Sequence, residues 1–237
     1  MSPEIIVDKP SALAETLARL FEGEGRRALA ARGFFSVALS GGSVATTFFP
    51  RLSRTAVDWS RTHFFWVDER AVPPSDPESN FGAARSLWLD PAGIRESRIH
   101  RMEADAADPE WAARAYADTM VLILGAPPRL DVALLGVGPD GHVCSLFPGH
   151  ELLLEESRFV APVFDSPKPP PRRLTLTLPV LAAAELVVVA ALGRGKAEIV
   201  REAIEEPSSV LPVAQAARRA RRCIFFLDAE AASRLAR

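Results

Sequence analysis

The feature that most constrains the fold is an alternation of short apolar runs with segments of helical period. Six runs rich in Val, Ile, Leu and Phe are candidate strands, and several are apolar on both faces, as strands covered by helices on each side are. They lie at residues 4–7, 34–40, 62–68, 130–136, 185–192 and 222–227. Strands that alternate with helices pair in parallel. The sequence therefore predicts an α/β fold with a mainly parallel sheet and helices on both faces.

The segments between these runs carry the helical patterns. In residues 11–32, apolar side chains recur at i, i+4, i+7 and i+8 from Leu13, and Gly33 follows as a helix end. Residues 161–173 form a proline-rich loop that feeds an antiparallel or edge strand. With no internal repeat, residues 1–237 read as a single domain. Further helices are expected at 80–89, 109–124, 194–206, 212–220 and 229–236.

Composition and charge narrow the class of protein. A net charge of −2 argues against a general nucleic-acid binder, which is normally basic over a whole face. The two cysteines, Cys144 and Cys223, form no C-x-x-C pair, so a reducing cytoplasm is the expected location. The first residues carry acids and a proline where a secretory signal has an apolar region, and no apolar run is long enough to cross a bilayer. We therefore expect a cytoplasmic protein without nucleic-acid or membrane partners.

The stretch 134–150, LLGVGPDGHVCSLFPGH, spells G-x-G-x-x-G directly after an apolar run. In a dinucleotide fingerprint these glycines open a helix, and an acid follows about 20 residues on at the end of the next strand. Here Pro148 and Gly149 leave room for a short turn only, and the acids at that spacing precede the next apolar run. The motif also lies in mid-chain instead of after the first strand. A dinucleotide site is disfavoured.

The same stretch contains Asp140 and His142. The glycines let the chain leave a buried strand and turn sharply, so this pair is placed at the carboxyl end of the strand, where open α/β sheets bind ligands. Histidine is the side chain best suited to exchange a proton near neutral pH. Taken alone, however, each residue also fits an ordinary loop histidine and turn-forming aspartate.

Two other strand ends carry polar residues that fit a binding site. Ser40, Gly41, Gly42 and Ser43 form a strand-to-helix turn whose free N–H groups suit an anion, although the turn also fits an ordinary connection. The next strand ends in charged residues, among them Asp68 and Arg70, which also fit a solvated loop.

The remaining candidates are cations. Lys196 is predicted in the first helical turn after residues 185–192, where a cation is unfavourable unless an anion binds there. Arg172 and Arg173 follow the proline loop and fit either surface charges or a second phosphate clamp. The four histidines show no metal-binding spacing, and no G-x-S-x-G elbow is present. We therefore expect no metal, and chemistry by acid–base catalysis on water or substrate.

Five stretches together resemble the 6-phosphogluconolactonase family. They are SGGS, WVDERAVPPSDPESN, GVGPDGHVCSLFPGH, PKPPPRRLTLTLP and GRGKAE, in this chain order from residue 40 to about 198. The resemblance implies a modified Rossmann-like α/β domain, shared with glucosamine-6-phosphate deaminase. It also implies hydrolysis of 6-phospho-D-glucono-1,5-lactone to 6-phospho-D-gluconate in the oxidative pentose phosphate pathway, without metal or nucleotide cofactor.

Matched position by position, the resemblance makes His142 the general base that activates water. Asp140 helps to place the loop, and Asp68 and Arg70 line the pocket. The phosphate is assigned to the Ser40–Ser43 turn, that is Ser40, Gly41, Gly42 and Ser43, with Lys196 and Arg173 as cationic partners. One departure from the family pattern is Pro50, which predicts a late start or a kink in the helix after the turn.

Two alternatives stay open. A glucosamine-6-phosphate deaminase-like isomerase would carry a Glu before the proline of the 134–150 block, where this chain has none. A non-catalytic sugar-phosphate-binding domain of a transcriptional regulator would carry a helix-turn-helix segment and a basic region. The expected partner is a small-molecule sugar-phosphate lactone, and the expected state is a monomer or weak homodimer.

Overall fold

The computed structural model describes residues 3–236 and contains nine strands in two sheets. The strand positions follow the apolar runs of the sequence, and the strand residues are buried almost throughout except in the first strand, where Glu4, Ile5 and Val7 are exposed. The strands are β1 (Glu4–Val7), β2 (Phe35–Leu39), β3 (Thr62–Trp66), β4 (Asp68–Arg70), β5 (Val132–Gly136), β6 (Val160–Val163), β7 (Arg173–Leu176), β8 (Leu186–Ala191) and β9 (Cys223–Leu227).

Seven α-helices connect and cover these strands. Helix α1 begins with Pro10 at its first position and ends at Gly33, whose φ of 82° is the left-handed conformation that glycine adopts most easily. The helices are α1 (Pro10–Arg32), α2 (Gly42–Leu52), α3 (Asn80–Ala84), α4 (Pro109–Leu124), α5 (Leu178–Ala183), α6 (Ala197–Glu205) and α7 (Pro212–Arg219).

The larger sheet has six parallel strands in the order β1-β9-β8-β5-β2-β3. The chain runs outward from β2 to β3 in one direction and from β5 through β8 to β9 in the other. The connections therefore diverge between β2 and β5, which is the topological switch point where open α/β sheets bind ligands at the carboxyl ends of their strands. The mainly parallel α/β fold is confirmed.

A smaller antiparallel sheet lies beside this edge, in the order β4-β7-β6. The run predicted as one strand at 62–68 divides at Val67, whose N–H still bonds Leu39, and the chain then pairs with β7. The strand that follows the proline loop is thus antiparallel, as predicted. Its pairing brings Arg70 opposite Arg173.

The core is one continuous cluster of buried apolar side chains between the larger sheet and its helices. Trp88 lies at the centre of an aromatic group, with ring centroids 5.2–5.8 Å from Phe21, Phe49, Trp59 and Phe64. Edge-to-face and tilted contacts of this kind add to the stabilisation from burial alone. The core holds the strand ends of the switch point in fixed positions.

Two details differ from the sequence prediction. Residues 229–236 form turns instead of a helix, since the bonds from Ser233 N and Leu235 N reach back only three residues. The Asp228 carboxylate bonds the N–H groups of Ala231 and Gly193 and ties the start of this segment to the sheet edge. Helix α2 does not start late, as the position of Pro50 predicted. It begins at Gly42, and Pro50 lies in its last turn. Within residues 3–236, no helix is both long and apolar enough to cross a membrane.

Candidate active site

A cleft of about 270 Å³ opens at the carboxyl ends of β2 and β5. Of the ten site residues predicted from the sequence, nine line this cleft, and the tenth, Asp140, contacts His142. The lining residues include Ser40, Gly41, Gly42, Ser43, Asp68, Arg70, Asn80, Gly138, His142, Cys144, Lys168, Arg173 and Lys196. The fold thus brings together segments that are up to about 150 positions apart in the chain.

The first wall is the Ser40–Ser43 turn between β2 and α2. Gly41 is the N-cap of α2 and no side chain caps the helix, so its first N–H groups stay available at the cleft. A Cβ at Gly41 would lie 1.8 Å from Asn80 Oδ1, so only glycine allows this approach. Ser40 Oγ is buried and has no hydrogen-bond partner within residues 3–236. This wall offers donors to an anion.

The second wall is the loop after β5. The glycines of G-x-G-x-x-G build a tight turn here, in which Gly138 N donates to His142 O at 2.9 Å and Gly141 N donates to Gly138 O at 3.0 Å. Residues 142–150, which follow directly, form turns and a β-bridge between Val143 and Leu146 instead of a helix. A Cβ at Gly138 would lie 2.0 Å from His142 Nδ1. Gly138 therefore makes room for the imidazole.

His142 and Asp140 form a hydrogen-bonded pair, with 2.6 Å between His142 Nδ1 and Asp140 Oδ1. Burial opposes the charged carboxylate, but hydrogen bonds and charges from His142 and Lys168 lower the pKa of Asp140 to about 2. Asp140 is therefore an acceptor only, and the short contact requires the proton to lie on Nδ1. Burial also lowers the pKa of His142 below its ordinary value. The neutral imidazole then presents the lone pair of Nε2, as a general base needs.

The third wall comes from the smaller sheet. Asp68 is buried and accepts hydrogen bonds from Ser145 Oγ at 2.6 Å and from Asn80 Nδ2 at 3.2 Å. Arg70 donates to the main-chain oxygen of Glu78 at 2.6 Å, while its Nε is buried without a partner within residues 3–236. A buried polar atom of this kind is one that a bound ligand can satisfy.

Arg173 lines the cleft, and its guanidinium donates hydrogen bonds mainly to the proline loop. It donates to the main-chain oxygens of Lys168, Pro169 and Pro170 at 3.0, 3.2 and 3.1 Å. A fourth contact reaches Ser145 Oγ at 3.4 Å. The side chain is buried, and its main partners are protein atoms.

Two lysines from different loops line the cleft. Lys196 is the N-cap of α6, at the helix start where the sequence placed it, and burial together with the charge of Lys168 lowers its pKa. Lys168 was not identified from the sequence. Its Nζ lies 3.1 Å from both Asp140 Oδ1 and His142 Nδ1. The only signal for it was a single lysine inside a run of prolines.

Asn80 and Glu69 also belong to this part of the site, although neither was predicted as a site residue from the sequence. Glu69 is buried and accepts hydrogen bonds from the N–H groups of Arg70, Asn80 and Phe81 at 2.8, 2.8 and 2.7 Å. Asn80 Nδ2 then donates to the main-chain oxygen of Asp68 at 2.9 Å. Glu69 thereby fixes the segment that carries Asp68 and Arg70.

Replacing Glu69 with alanine should lower the free energy of unfolding by about 1–3 kcal/mol, because buried N–H donors lose their acceptor. Urea denaturation of Glu69→Ala against wild type measures this. Glu151→Ala, which removes an exposed acid, is the matched control and should leave the free energy unchanged. Equal effects of the two substitutions would contradict the role assigned to Glu69.

No group of three or more His, Cys, Asp or Glu side chains in residues 3–236 is arranged to hold a metal ion. His150 lies outside the cleft lining, where it caps the turn at Glu151–Leu154 and contacts Asp165 at 3.1 Å. Cys144 lines the cleft with a positive φ of 54°, and burial raises the pKa of its thiol. That thiol is therefore a poor nucleophile at neutral pH.

The chain is an α/β protein whose mainly parallel sheet places a hydrogen-bonded His–Asp pair in the same cleft as an uncapped helix start. The sequence profile of the glucosamine-6-phosphate isomerases/6-phosphogluconolactonase family matches residues 8–225. The chain belongs to this family.

Individual relatives agree over nearly the whole chain. It is 41% identical to a 6-phosphogluconolactonase of Rattus norvegicus, over 97% of this chain and 92% of that protein. It is 39% identical to a 6-phosphogluconolactonase of Streptomyces coelicolor, over 100% of this chain and 96% of that protein. Among solved structures, 6-phosphogluconolactonase from Trypanosoma cruzi superposes with a TM-score of 0.88 at 28% identity, over 100% of this chain and 99% of that one. The modified Rossmann-like architecture expected from the resemblance is confirmed.

Proposed function

We propose that the protein hydrolyses 6-phospho-D-glucono-1,5-lactone to 6-phospho-D-gluconate, the lactonase step of the oxidative pentose phosphate pathway. The observation that carries the proposal is the His142–Asp140 pair at the mouth of a cleft lined by cations and free N–H groups. The lactone is an anionic sugar ester, and its hydrolysis needs one base, a bound water and a place for the phosphate.

In this mechanism His142 Nε2 accepts a proton as water attacks C1 of the lactone. The C1 carbonyl becomes a tetrahedral oxyanion, which the cationic wall at Arg70 stabilises. The intermediate collapses with cleavage of the C1–O5 bond, and the imidazolium returns its proton to O5. The products are the carboxylate of the open acid and a released proton. Asp140 holds the imidazole with Nδ1 protonated throughout.

The phosphate is assigned to the Ser40–Ser43 turn. Its support is the uncapped start of α2, whose N–H groups and positive dipole end favour an anion. Lys196 adds a cation to the lining of the same cleft. An anion there also offsets the unfavourable position of this lysine at the start of α6. Asp68 orders the third wall through Ser145 and Asn80.

A deaminase-like activity is the second candidate, since a monomeric glucosamine-6-phosphate deaminase shares the fold with a TM-score of 0.81 at 22% identity. The block 134–150 has no Glu before Pro148, which disfavours the ring-opening chemistry. The cytoplasmic location, the single-domain organisation, the monomeric or weakly dimeric state, and the absence of nucleic-acid partners stay predictions.

Lactone turnover tests the proposal directly. Fresh lactone is generated with glucose-6-phosphate dehydrogenase, and its decay is followed with and without the protein, since δ-lactones also hydrolyse in water alone. We expect the protein to accelerate the decay strongly over the blank. In a parallel arm, ammonia release from glucosamine 6-phosphate should not exceed its blank. Lactone decay at the blank rate would overturn the proposal, and ammonia release would favour the deaminase.

A further inference from the structure

The proline loop places a positive charge directly against the acid–base pair. Lys168 Nζ lies 3.1 Å from Asp140 Oδ1 and 3.1 Å from His142 Nδ1, while the two latter atoms are 2.6 Å apart. The ammonium group has hydrogens only to donate. Because Nδ1 already carries the proton shared with Asp140, the lysine bonds Asp140 and stays beside the imidazole as a neighbouring positive charge.

The lysine is held there by the protein. Its main-chain oxygen accepts hydrogen bonds from Ser166 Oγ at 2.8 Å and from Arg173 at 3.0 Å, and its N–H bonds Ser166 Oγ at 3.2 Å. Arg173 also bonds the two following main-chain oxygens, Pro169 and Pro170. A planar guanidinium can satisfy several oxygens at once, and a lysine ammonium cannot reproduce that geometry.

We propose that Lys168 is a positioning residue for the proton balance of the His142–Asp140 pair, and that Arg173 acts through it by fixing the proline loop. Asp140 by itself favours the imidazolium form, in which His142 cannot accept a proton. The ammonium group of Lys168 opposes that tendency and keeps the imidazole neutral. The role of Lys168 in catalysis rests on the proposed function of His142 as the base, whereas the charge coupling itself does not.

Other charged groups near this pair also shift the pKa of His142. Asp140 raises the pKa of His142 through its hydrogen bond and charge, and Asp68 on β4 raises it from a greater distance. Burial lowers the pKa of His142 most, and Lys168 is the cation that lowers it further. Lys196, at the start of α6, also interacts with this group, since the charge of Lys168 lowers its pKa and that of Asp140 raises it. Asp140 is the charge with the largest effect on His142, and Lys168 is the cation that opposes it.

The test is an NMR titration of His142 in the free protein, which requires no substrate. The chain has four histidines, and His142→Gln identifies the signal by its loss. In Lys168→Met we expect the pKa of His142 to rise by about one unit, a tenfold change in protonation, since a neighbouring charge has been removed. Lys168→Arg keeps the charge and should stay close to wild type. Lys168→Gln is a second neutral variant in case Lys168→Met does not fold.

Two further variants separate charge from position. Arg172→Met removes an exposed cation from the same loop, with no contact to the pair, and should leave the pKa of His142 unchanged. Arg173→Lys keeps the charge but loosens the loop, and should raise the pKa of His142 by less than Lys168→Met does. An unchanged pKa in the neutral Lys168 variants, or an equal rise in Arg172→Met, would overturn the proposal.

Kinetics then link the coupling to function. If Lys168 acts through His142, the acid limb of kcat in Lys168→Met moves to higher pH by the shift seen in NMR, and kcat recovers above it. An increase in KM at every pH without movement of the acid limb would instead make Lys168 a phosphate ligand and overturn its positioning role. Failure of the wild type to turn over lactone would overturn the proposed function while the NMR titration still decides the coupling.

Discussion

His142→Ala should lower kcat/KM for the lactone by about 10²- to 10⁴-fold, the usual contribution of a positioned general base. The side chain has little structural work, since it makes one short hydrogen bond, to Asp140, and lies against the ring of Phe147 with 4.7 Å between centroids. The variant should therefore fold, and residual activity should remain from substrate binding. Initial rates, corrected for spontaneous hydrolysis, give the measurement.

The pH dependence of the rate shows which protonation state of His142 is active. The neutral imidazole is the active form, so the wild-type rate should rise with pH through the pKa of His142, which lies below its ordinary value because of burial. His142→Ala should lose that step. The substrate phosphate also titrates near pH 6, so the step must match the pKa of His142 measured by NMR.

His150→Asn is the matched control for this experiment. It removes a second histidine from the same segment, but one that caps the turn at Glu151–Leu154, and asparagine can provide the same cap. Its activity should stay close to wild type. Activity of His142→Ala within about threefold of wild type, or an equal loss in His150→Asn, would mean that His142 is not the base.

Much of the fold could be predicted from the sequence, because buried strands show a simple pattern of apolar residues. Strands covered on both faces are continuous apolar runs, so β2, β5, β8 and β9 could be located closely. The same rule located the site, since polar residues directly after buried strands must meet at one edge of a parallel sheet. The expected helix at 229–236 is wrong, and the segment is instead held by contacts with other elements. Glu230 accepts from Arg194 N at 3.2 Å, and Ala236 N donates to Glu205 Oε1 at 2.6 Å. Tertiary contacts of this kind override local helix propensity.

The missed residues are those whose role depends on contacts between distant loops. Lys168 follows His142 by 26 positions, and no periodicity relates the two. Arg173 could be proposed as a phosphate clamp from its charge, but its actual partners are main-chain oxygens, which leave no pattern in the sequence. Glu69 likewise appears as one of three consecutive charges, although it is buried and bonded by N–H groups of the next segment.

Gly138→Ala should be the single-methyl change in the cleft that acts most directly on the His142–Asp140 pair. The added Cβ would lie 2.0 Å from His142 Nδ1, 2.1 Å from its Cε1 and 2.5 Å from Asp140 Oδ1. Because both members of the pair lie in its way, the imidazole must leave its position and lose the hydrogen bond to Asp140. A displacement of about 1 Å at a reacting group costs on the order of 10²-fold in rate, so we expect at least that loss in kcat.

In Gly138→Ala, the effect on the position of His142 can be distinguished from an effect on protein stability. Gly138 does not have a positive φ, so alanine is strained here by contact and not by its backbone. The free energy of unfolding should therefore fall far less than the activity does. Gly23→Ala in α1 is the control, because its added Cβ meets nothing within 4 Å and it should leave the activity unchanged. NMR of His142 in Gly138→Ala should show a changed tautomer signal and pKa. If the NMR signal of His142 and kcat both stayed at their wild-type values, the loop would have adjusted to the added methyl group. The absence of a side chain at Gly138 would then not be what positions His142.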